Sequence, residues 1–549
     1  MESFDRNDRT GTASASCSQE PLPQRSVAPE LSRNRLHFRS TGVVAVVAFL
    51  VLLITAPPLE FYLESADHGF QLGVGNQVLF GWTPGIDNFQ SYGPLVPYTS
   101  ALGIRLSGSL IGETLLCAFG YSVALALVFS IVSQAANRIA GASAAVAAFL
   151  LLARFFKWYI WCIPLLAIFF AYQYVYASED RSRHRWLSGC GLVLGIGWLY
   201  RFDVATGSLA AVAVIIAVTG YRQGEWSMRW YAGQVVRLAI CFAVPLTLWM
   251  AYVAWYFGPT APFDYLRNTV LAAQGVVTGM AQPLEGHAVP ATYLFVIGTY
   301  LLALAIGLRR QTSGDAGPAR LMLLVPAVIG LSCIHQALHR RGLHHLLQVA
   351  PPTIIAAHLL AVRFVATAAA AHHWKKRLFW SGVAALYILA AAQAAWIGMR
   401  VGACDMTGAA MPLNQKFAEL HDPLNAGWDR PAIQAIRRVR REVPSDRPIL
   451  VFPVGPQLYF FTERRFSGRR NAYYPQVACH ATGGRENLAE IRRDMPSAVI
   501  LTWDVWGELQ CVEPDEIPAD FPHRDVARLI REKFRRVAYE NEGLVVLLP

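Results

Sequence analysis

A polytopic α-helical membrane domain followed by a small C-terminal α/β extracytoplasmic domain is the fold class that the sequence predicts, and three observations carry it. Of the 549 residues, 54% are hydrophobic and only 15% are charged, which is too apolar for an ordinary soluble enzyme. The apolar residues gather into runs of membrane-spanning length, roughly 17 to 25 residues each. After Gly402 that pattern stops, and short strand-like runs alternate with amphipathic helical ones.

Taken in order, residues 1–40 are polar, rich in Ser, Pro and Arg and without periodicity, so a disordered cytoplasmic tail is expected there. The apolar run behind it starts too late for a cleaved signal peptide and reads as a first span. Spans are expected near 42–58, 108–134, 139–154, 158–177, 186–200, 203–219, 233–257, 290–308, 320–338, 346–366 and 378–399, about eleven in all. An odd number puts the two ends of the chain on opposite sides. The expected units are therefore a tail at 1–40, a membrane domain at 41–402 with an outer loop at 59–97, and an extracytoplasmic domain at 403–549.

Orientation follows from the Lys and Arg bias of short loops. With the N-terminus inside, the inner loops are "SQAANRIAG", "SEDRSRHRW", "GYRQGEWSMRW", "LRRQTSGDAGPAR" and "AHHWKKR", and each carries Arg or Lys. The outer face then receives 65–98, "ARFFKWY", "YRFD", 258–290, "LHRRGLHHLL" and everything after Gly402. Basic residues are disfavoured in short translocated loops, yet Arg154, Lys157, Arg201, Arg340 and Arg341 fall there. Cations held at one interface suit a polyanion, and at an outer membrane face a lipid-linked phosphate or pyrophosphate fits. Blander readings stand beside this one. Arg154 and Lys157 could snorkel to headgroups, Arg201 could pair locally with Asp203, and "HRRGLHH" could be a solvated loop or, through His339, His344 and His345, a metal site.

The loop after the first span places Asp67 and Asp87 among glycines and prolines that are expected to shape turns rather than a long helix. A carboxylate there can act as a general base, ligate a metal or bind sugar hydroxyls, or be a solvated loop acid. Phe80, Trp82, Phe89, Tyr92 and Tyr98 suit an interfacial aromatic belt or a surface for stacking on a sugar.

"DHG" beyond the first span, then "GIDNFQSYGPLVPY", "YRFD" and "HRRGLHHLLQVAPP", resemble the motifs of bacterial GT-C membrane glycosyltransferases, in the protein mannosyltransferase and lipid A sugar transferase branch. The resemblance covers roughly 41–402. It implies an inverting transfer of a hexose or pentose from a polyprenyl-phosphate donor to a lipid, glycan or protein acceptor, at the outer face of the inner (plasma) membrane. Within it Asp67 is the expected catalytic base, with Asp87 and Tyr92 supporting the acceptor. Arg201, Arg340, Arg341, His345 and Lys157 are expected to hold the donor phosphate, with Asp203 and His68 behind them. The late motif reads Arg-Arg-Gly where relatives often carry an acid after Arg, and no Asp-X-Asp occurs in the loop. A divalent metal is left open, and no other cofactor is expected. Physical reasoning agrees, since an inverting displacement needs a base on one side of the sugar and charge stabilisation of the departing phosphate on the other.

Beyond Gly402, "RPAIQAIRRVRREV" places Ile433, Ile436 and Val439 on one helical face. "PILVFPV", "SAVILTW" and "GLVVLLP" read as strands, with helices in "NLAEIRRDM" and "RDVARLIREKFRRV". "YFFTERRFSGRRNAYY" suits an anionic headgroup or polyanionic glycan, or a solvated loop. Cys479 and Cys511 are candidates for a disulfide, with Cys404 left over. The net charge of +11 fits anionic membrane lipids, and no nucleic-acid module or phosphate-binding glycine loop appears. Two rivals remain: a secondary transporter or flippase of lipid-linked glycans, which would place charges mid-span in repeated halves, and a glycan ligase or polymerase sharing the same basic face.

Overall fold

The computed structural model describes residues 28–88, 92–152, 155–177, 179–279, 288–309, 317–339, 342–402, 410–426, 430–470, 473, 484–502, 523–541 and 543–549. The chain opens with α1 (Ala28–Thr55), followed by the short α2 (Leu59–Glu64), α3 (Ala66–Leu79) and α4 (Leu95–Ser107). A bundle of longer helices comes next: α5 (Leu110–Ala135), α6 (Arg138–Leu150), α7 (Trp158–Tyr176), α8 (Asp180–Tyr200), α9 (Phe202–Gln223) and α10 (Met228–Phe257). It continues with α11 (Ala261–Gly279), α12 (Ala288–Leu308), α13 (Gly317–Cys333), the short α14 (His335–His339) and α15 (Leu343–Gln348), then α16 (Pro351–Ala369) and α17 (Trp374–Gly402). Helix α1 begins inside the stretch expected to be a disordered tail. No proline interrupts it after Pro29, which sits in its first turn where proline is tolerated, and Gly42 is its one glycine.

Among the described residues, eight helices are long and apolar enough to cross a membrane: Leu110–Ala135, Phe155–Tyr176, Phe202–Gln223, Met228–Phe257, Val289–Leu308, Arg320–Leu338, Pro351–Ala369 and Trp374–Arg400. All eight coincide with expected spans. Of the other three, Arg39–Thr55 and Arg138–Leu150 are apolar but shorter, and α8 opens on Asp180, Arg181, Arg183 and Arg185. Local chemistry sets the boundaries. Ser109, Asn137 and Ser227 each cap a helix by accepting from Ile111, Ala140 and Trp230 amides at 3.3, 2.9 and 3.1 Å. Gly108 and Gly224 end α4 and α9 with φ of 67° and 72°.

The stretch after the first span is corrected by the structure. Ala66–Leu79 is one continuous helix, not a series of turns. Its glycines are contact points: a Cβ on Gly69 would lie 2.5 Å from Gln457 Oε1, on Gly73 2.5 Å from the Pro456 carbonyl, and on Gly75 3.1 Å from Ser100. They cost some helix propensity and permit close approach on two sides. The stretch 258–290, expected to be a loop, likewise contains helix α11.

The C-terminal portion contains α18 (Leu413–His421), α19 (Pro431–Glu442), β1 (Ile449–Phe452), α20 (Gln457–Thr462), α21 (Gly484–Arg493), β2 (Ala498–Thr502), α22 (Arg524–Lys533), β3 (Arg536–Asn541) and β4 (Leu544–Leu548). Its four strands lie in the order β1-β2-β4-β3, with β1 parallel to β2 and the other pairs antiparallel. Period-2 alternation divides the sheet. Ile449, Val451, Ala498 and Ile500 pack with Ile433, Ile436 and Val439 of α19, whereas Leu450, Phe452, Val499 and Leu501 pack with Val526, Leu529 and Ile530 of α22. The first of these clusters also takes in Leu59, Tyr62, Leu72 and Leu110, so one core joins the sheet to the outer-loop helices. Ile436→Ala is expected to cost about 2–5 kcal/mol. Limited proteolysis of the full chain reads it out, with cuts after Gly402 accelerating before cuts between the spans.

Candidate active site at the start of helix α7

Ser65 caps α3 by accepting from the His68 amide at 3.3 Å, which puts Asp67 in the first turn where the helix dipole favours a carboxylate. Its Oδ2 meets Lys157 Nζ at 3.2 Å. Lys157 closes a single 3-10 turn, Phe155–Lys157, immediately before α7, and is only 3% exposed against 41% for Asp67. That burial rules out headgroup snorkelling for Lys157. Its ammonium also lies 5.1 Å from the Phe156 ring. Half-open Asp67 is thus held by a buried cation and remains accessible from outside.

The inward side of α3 carries a buried polar cluster. His68 stacks on Phe156 at 4.8 Å, and its Nε2 lies 3.0 Å from Glu113 Oε1. Gln71 Nε2 donates to the same oxygen at 2.6 Å, and Cys117 Sγ lies 3.8 Å from it. His68 Nδ1, Gln71 Oε1 and Glu113 Oε2 are buried without a hydrogen-bond partner. Among the described residues His68, Glu113 and Cys117 form the group of metal-type ligands whose donor atoms lie within 4.8 Å of one another. A nitrogen, oxygen and sulfur set of that kind suits zinc. Beside them the Tyr62 hydroxyl pairs with Thr114 at 2.7 Å, and burial holds its phenol well above the ordinary range, so it stays protonated.

The second half of the site is built from α8, α9 and the start of α4. Gly93 N donates to the Tyr200 carbonyl at 3.0 Å, which docks "YGPL" on "YRFD". Arg201 has extended backbone (φ −151°, ψ 94°) between α8 and α9. That geometry lets Nε reach Asp203 Oδ1 at 2.9 Å and Nη2 reach Oδ2 at 3.4 Å. The local pair is therefore real, and it also aims the guanidinium over Tyr92, 5.1 Å from the ring. Gln336 donates to Asp203 Oδ2 from α14, just ahead of the late basic motif. Tyr92 meets Tyr159 edge-on at 6.3 Å, and Tyr159 stacks on Tyr200 at 5.6 Å. Trp161 Nε1 donates to the Leu347 carbonyl at 3.1 Å, which draws in α15 with the buried His345.

Three segments thus converge on residues 155–161: Asp67 through Lys157, Arg201 through Tyr92 and Tyr159, and His345 through its own helix. Asp87 does not join them. Its Oδ2 accepts from the Thr83 amide at 2.7 Å while its own amide donates to the Thr83 carbonyl at 3.0 Å, so it locks a turn. Arg154, Arg340, Arg341, Cys404, Cys479 and Cys511, and the His339 side chain, lie outside the described residues. The basic "TERRFSGRR" is corrected from headgroup contact to internal structure. Arg464 is buried and donates to the Val443 and Thr462 carbonyls at 2.6 and 3.0 Å, Arg465 pairs with Asp494, and Arg469 donates to the Ile86 carbonyl. Sequence reasoning missed Glu113, Gln71 and Gln336. Glu113 had a signal, as the lone charge within the apolar run from Leu110 to Val132.

No protein-family model matches the chain, and no curated protein does either. Among solved structures it is similar to ArnT from Cupriavidus metallidurans bound to undecaprenyl phosphate, with a TM-score of 0.52 and 13% sequence identity over 93% of this chain and 97% of that one. The apo state of the same protein gives a TM-score of 0.43 and 14% identity over the same shares. At such low identity the first likeness speaks of architecture alone, and it extends over nearly both full lengths. The chain has the fold of ArnT, a polytopic helical membrane architecture of the kind that the sequence predicts.

Proposed function

We propose that this chain is an inverting glycosyltransferase that moves a sugar from a polyprenyl phosphate to an acceptor at the outer membrane interface. The observation that carries the reading is the convergence of Asp67 and Arg201 on residues 155–161, acid on one side and guanidinium on the other. An ArnT structure with undecaprenyl phosphate bound supports the donor class.

In this reading the acceptor hydroxyl gives its proton to Asp67 as its oxygen attacks the anomeric carbon. The bond from that carbon to the phosphate oxygen breaks, and the electron pair leaves with the phosphate. Arg201 stabilises that charge, with Asp203 using only part of its donor set. Lys157 holds the Asp67 carboxylate in place, and Tyr92 forms a wall against the sugar. His345, Arg340 and Arg341 are assigned to the phosphate side, and Asp87 to shaping the acceptor loop. Residues 41–402 form the membrane unit and 403–549 the outer domain, with the N-terminus in the cytoplasm.

Mass spectrometry of envelope glycans and polyprenyl-linked sugars in a deletion strain tests this. One glycan or lipid is expected to lose a single sugar while a polyprenyl-phosphate monosaccharide accumulates. Intact glycans would overturn it, as would accumulation of a complete lipid-linked oligosaccharide, which points to a flippase or ligase.

A further inference from the structure

Behind Asp67, helices α3 and α5 bring four polar side chains together out of reach of solvent. His68 and Gln71 stand three apart on α3, and Glu113 and Cys117 four apart at the start of α5, so each pair shares one helical face. The two faces meet at a single oxygen, Glu113 Oε1, with His68 Nε2 at 3.0 Å, Gln71 Nε2 at 2.6 Å and Cys117 Sγ at 3.8 Å from it. His68 and Cys117 are 0% exposed, Glu113 1% and Gln71 4%. Phe61, Tyr62 and Phe156 wall the imidazole at ring distances of 5.8, 4.9 and 4.8 Å.

The plain reading is a hydrogen-bonded lock between the two helices. It satisfies Glu113 Oε1 and leaves two acceptors, Glu113 Oε2 and Gln71 Oε1, buried with no donor among the described residues. Three donors crowding one carboxylate oxygen while its twin has none is a poor hydrogen-bond solution. Surplus buried acceptors call for a cation.

Spacing and charge identify its class. Around tetrahedral zinc, with bonds of about 2.0–2.2 Å to nitrogen or oxygen and about 2.3 Å to sulfur, neighbouring donors stand about 3.3–3.6 Å apart. The separations of 3.0 and 3.8 Å bracket that range, and the nitrogen, oxygen and sulfur atoms all lie within 4.8 Å of one another. Turning the Gln71 amide about its last bond exchanges Nε2 for Oε1 and supplies a fourth ligand. A thiolate and a carboxylate together neutralise a dication, so metal and ligands bury no net charge. Magnesium and calcium favour all-oxygen sets and do not suit one that includes a sulfur.

We propose that His68, Glu113 and Cys117, with Gln71 Oε1 as fourth ligand, form a zinc site that pins α3 to α5. On binding, the metal sheds its waters, the Cys117 thiol releases its proton to solvent, and the sulfur electron pair forms the new bond to zinc. With all four positions filled by the protein, the site is structural rather than catalytic. Asp67 directly precedes His68, so the metal fixes the helical turn that presents that carboxylate.

The test uses the full chain in detergent, purified without a metal-chelate resin, and reads metal content by inductively coupled plasma mass spectrometry. Wild type is expected to carry about one zinc per chain. Cys117→Ser and Glu113→Gln, close in size to the residues they replace, are each expected to weaken zinc binding by at least about 100-fold, since partners outside the ligand ring alone are worth about 10- to 100-fold. Cys162→Ser and Cys190→Ser, at buried thiols elsewhere in the bundle, are expected to keep the metal. Should the ligand variants fail to fold, cobalt(II) exchanged into wild type is expected to show thiolate-to-cobalt absorption in the near ultraviolet and the strong visible bands of a tetrahedral ion. Stripping with a chelator is expected to lower the unfolding temperature, and added zinc to restore it. None of these readouts depends on sugar transfer. Wild type without zinc after growth in zinc-supplemented medium overturns the site, as does zinc retained in both ligand variants or cobalt bound without a thiolate band. An unchanged unfolding temperature after confirmed removal overturns the pinning of α3.

Discussion

Asp67→Asn is expected to slow sugar transfer by about 10²- to 10⁴-fold while the protein keeps its normal level in the membrane. Asn matches Asp in size and can still accept a hydrogen bond from Lys157, so the substitution removes basicity and little else. The choice of Asn over Ala matters because Lys157 is buried, and a buried ammonium left with no acceptor destabilises strongly. Asp67 itself is 41% exposed, so the charge lost from the pair is screened and worth at most about 1 kcal/mol of stability. Rate and stability should therefore separate. Asp67→Glu, with its carboxylate displaced by one methylene, is expected to recover part of the rate. Initial rates on membranes supplied with a polyprenyl-phosphate sugar, read beside thermal unfolding of each variant, decide the matter. A wild-type rate in the Asn variant would remove Asp67 from the chemistry.

Gly93→Ala should damage both fold and activity although it adds a single methyl. A Cβ there would lie 2.0 Å from the Leu199 carbonyl oxygen, 2.3 Å from its carbon and 2.9 Å from the Tyr200 amide nitrogen. Those atoms are backbone in the last turn of α8 and cannot rotate aside. Either the loop lifts and loses its 3.0 Å bond to the Tyr200 carbonyl, or the end of α8 shifts. Both movements carry Tyr92 away from Arg201. Overpacking of this kind costs about 1–3 kcal/mol, with about 1 more for the lost bond, and a misplacement of about 1 Å at the site can cost 10²-fold in rate. Gly233 and Gly382 have nothing within 4 Å of a built Cβ, so their Ala variants are expected to behave as wild type or slightly better. Equal melting temperatures and rates across all three variants would refute the steric argument.

The spans were legible because hydrophobic length is a one-dimensional property, and eight of them sit where the apolar runs do. The outer acids were legible as candidates because charge is rare in so apolar a chain. What each acid touches was not. Asp67 finds Lys157 ninety positions away, whereas Asp87 turns back on Thr83 four residues earlier, and the two look alike in sequence. The glycines of "DHGFQLGVG" misled for a related reason. Glycine signals a turn when judged locally, yet here its small size serves helix packing against α20 and α4, partners that only the fold supplies. The arginines of "TERRFSGRR" carried the same ambiguity, because a guanidinium that satisfies buried carbonyls reads no differently from one that binds an anion.

Helix α3 has a further consequence through the timing of synthesis. Asn76 Nδ2 donates to the Tyr459 and Arg464 carbonyls at 3.1 Å, Gln77 accepts from the Phe466 amide at 3.3 Å, and Gln457 donates to the Leu63 carbonyl at 2.7 Å. These partners lie 383 or more positions downstream, whereas Glu113 and Lys157, on the other side of the helix, lie within 90 positions of theirs. A growing chain can lodge its spans one by one, but the helix bearing Asp67 lacks one side of its seat until the ribosome has nearly finished. Contacts so distant along the chain form late. A polypeptide that ended before β1 would therefore carry its Asp67 helix seated on the spanning helices alone, with the polar side that faces α20 left unpaired.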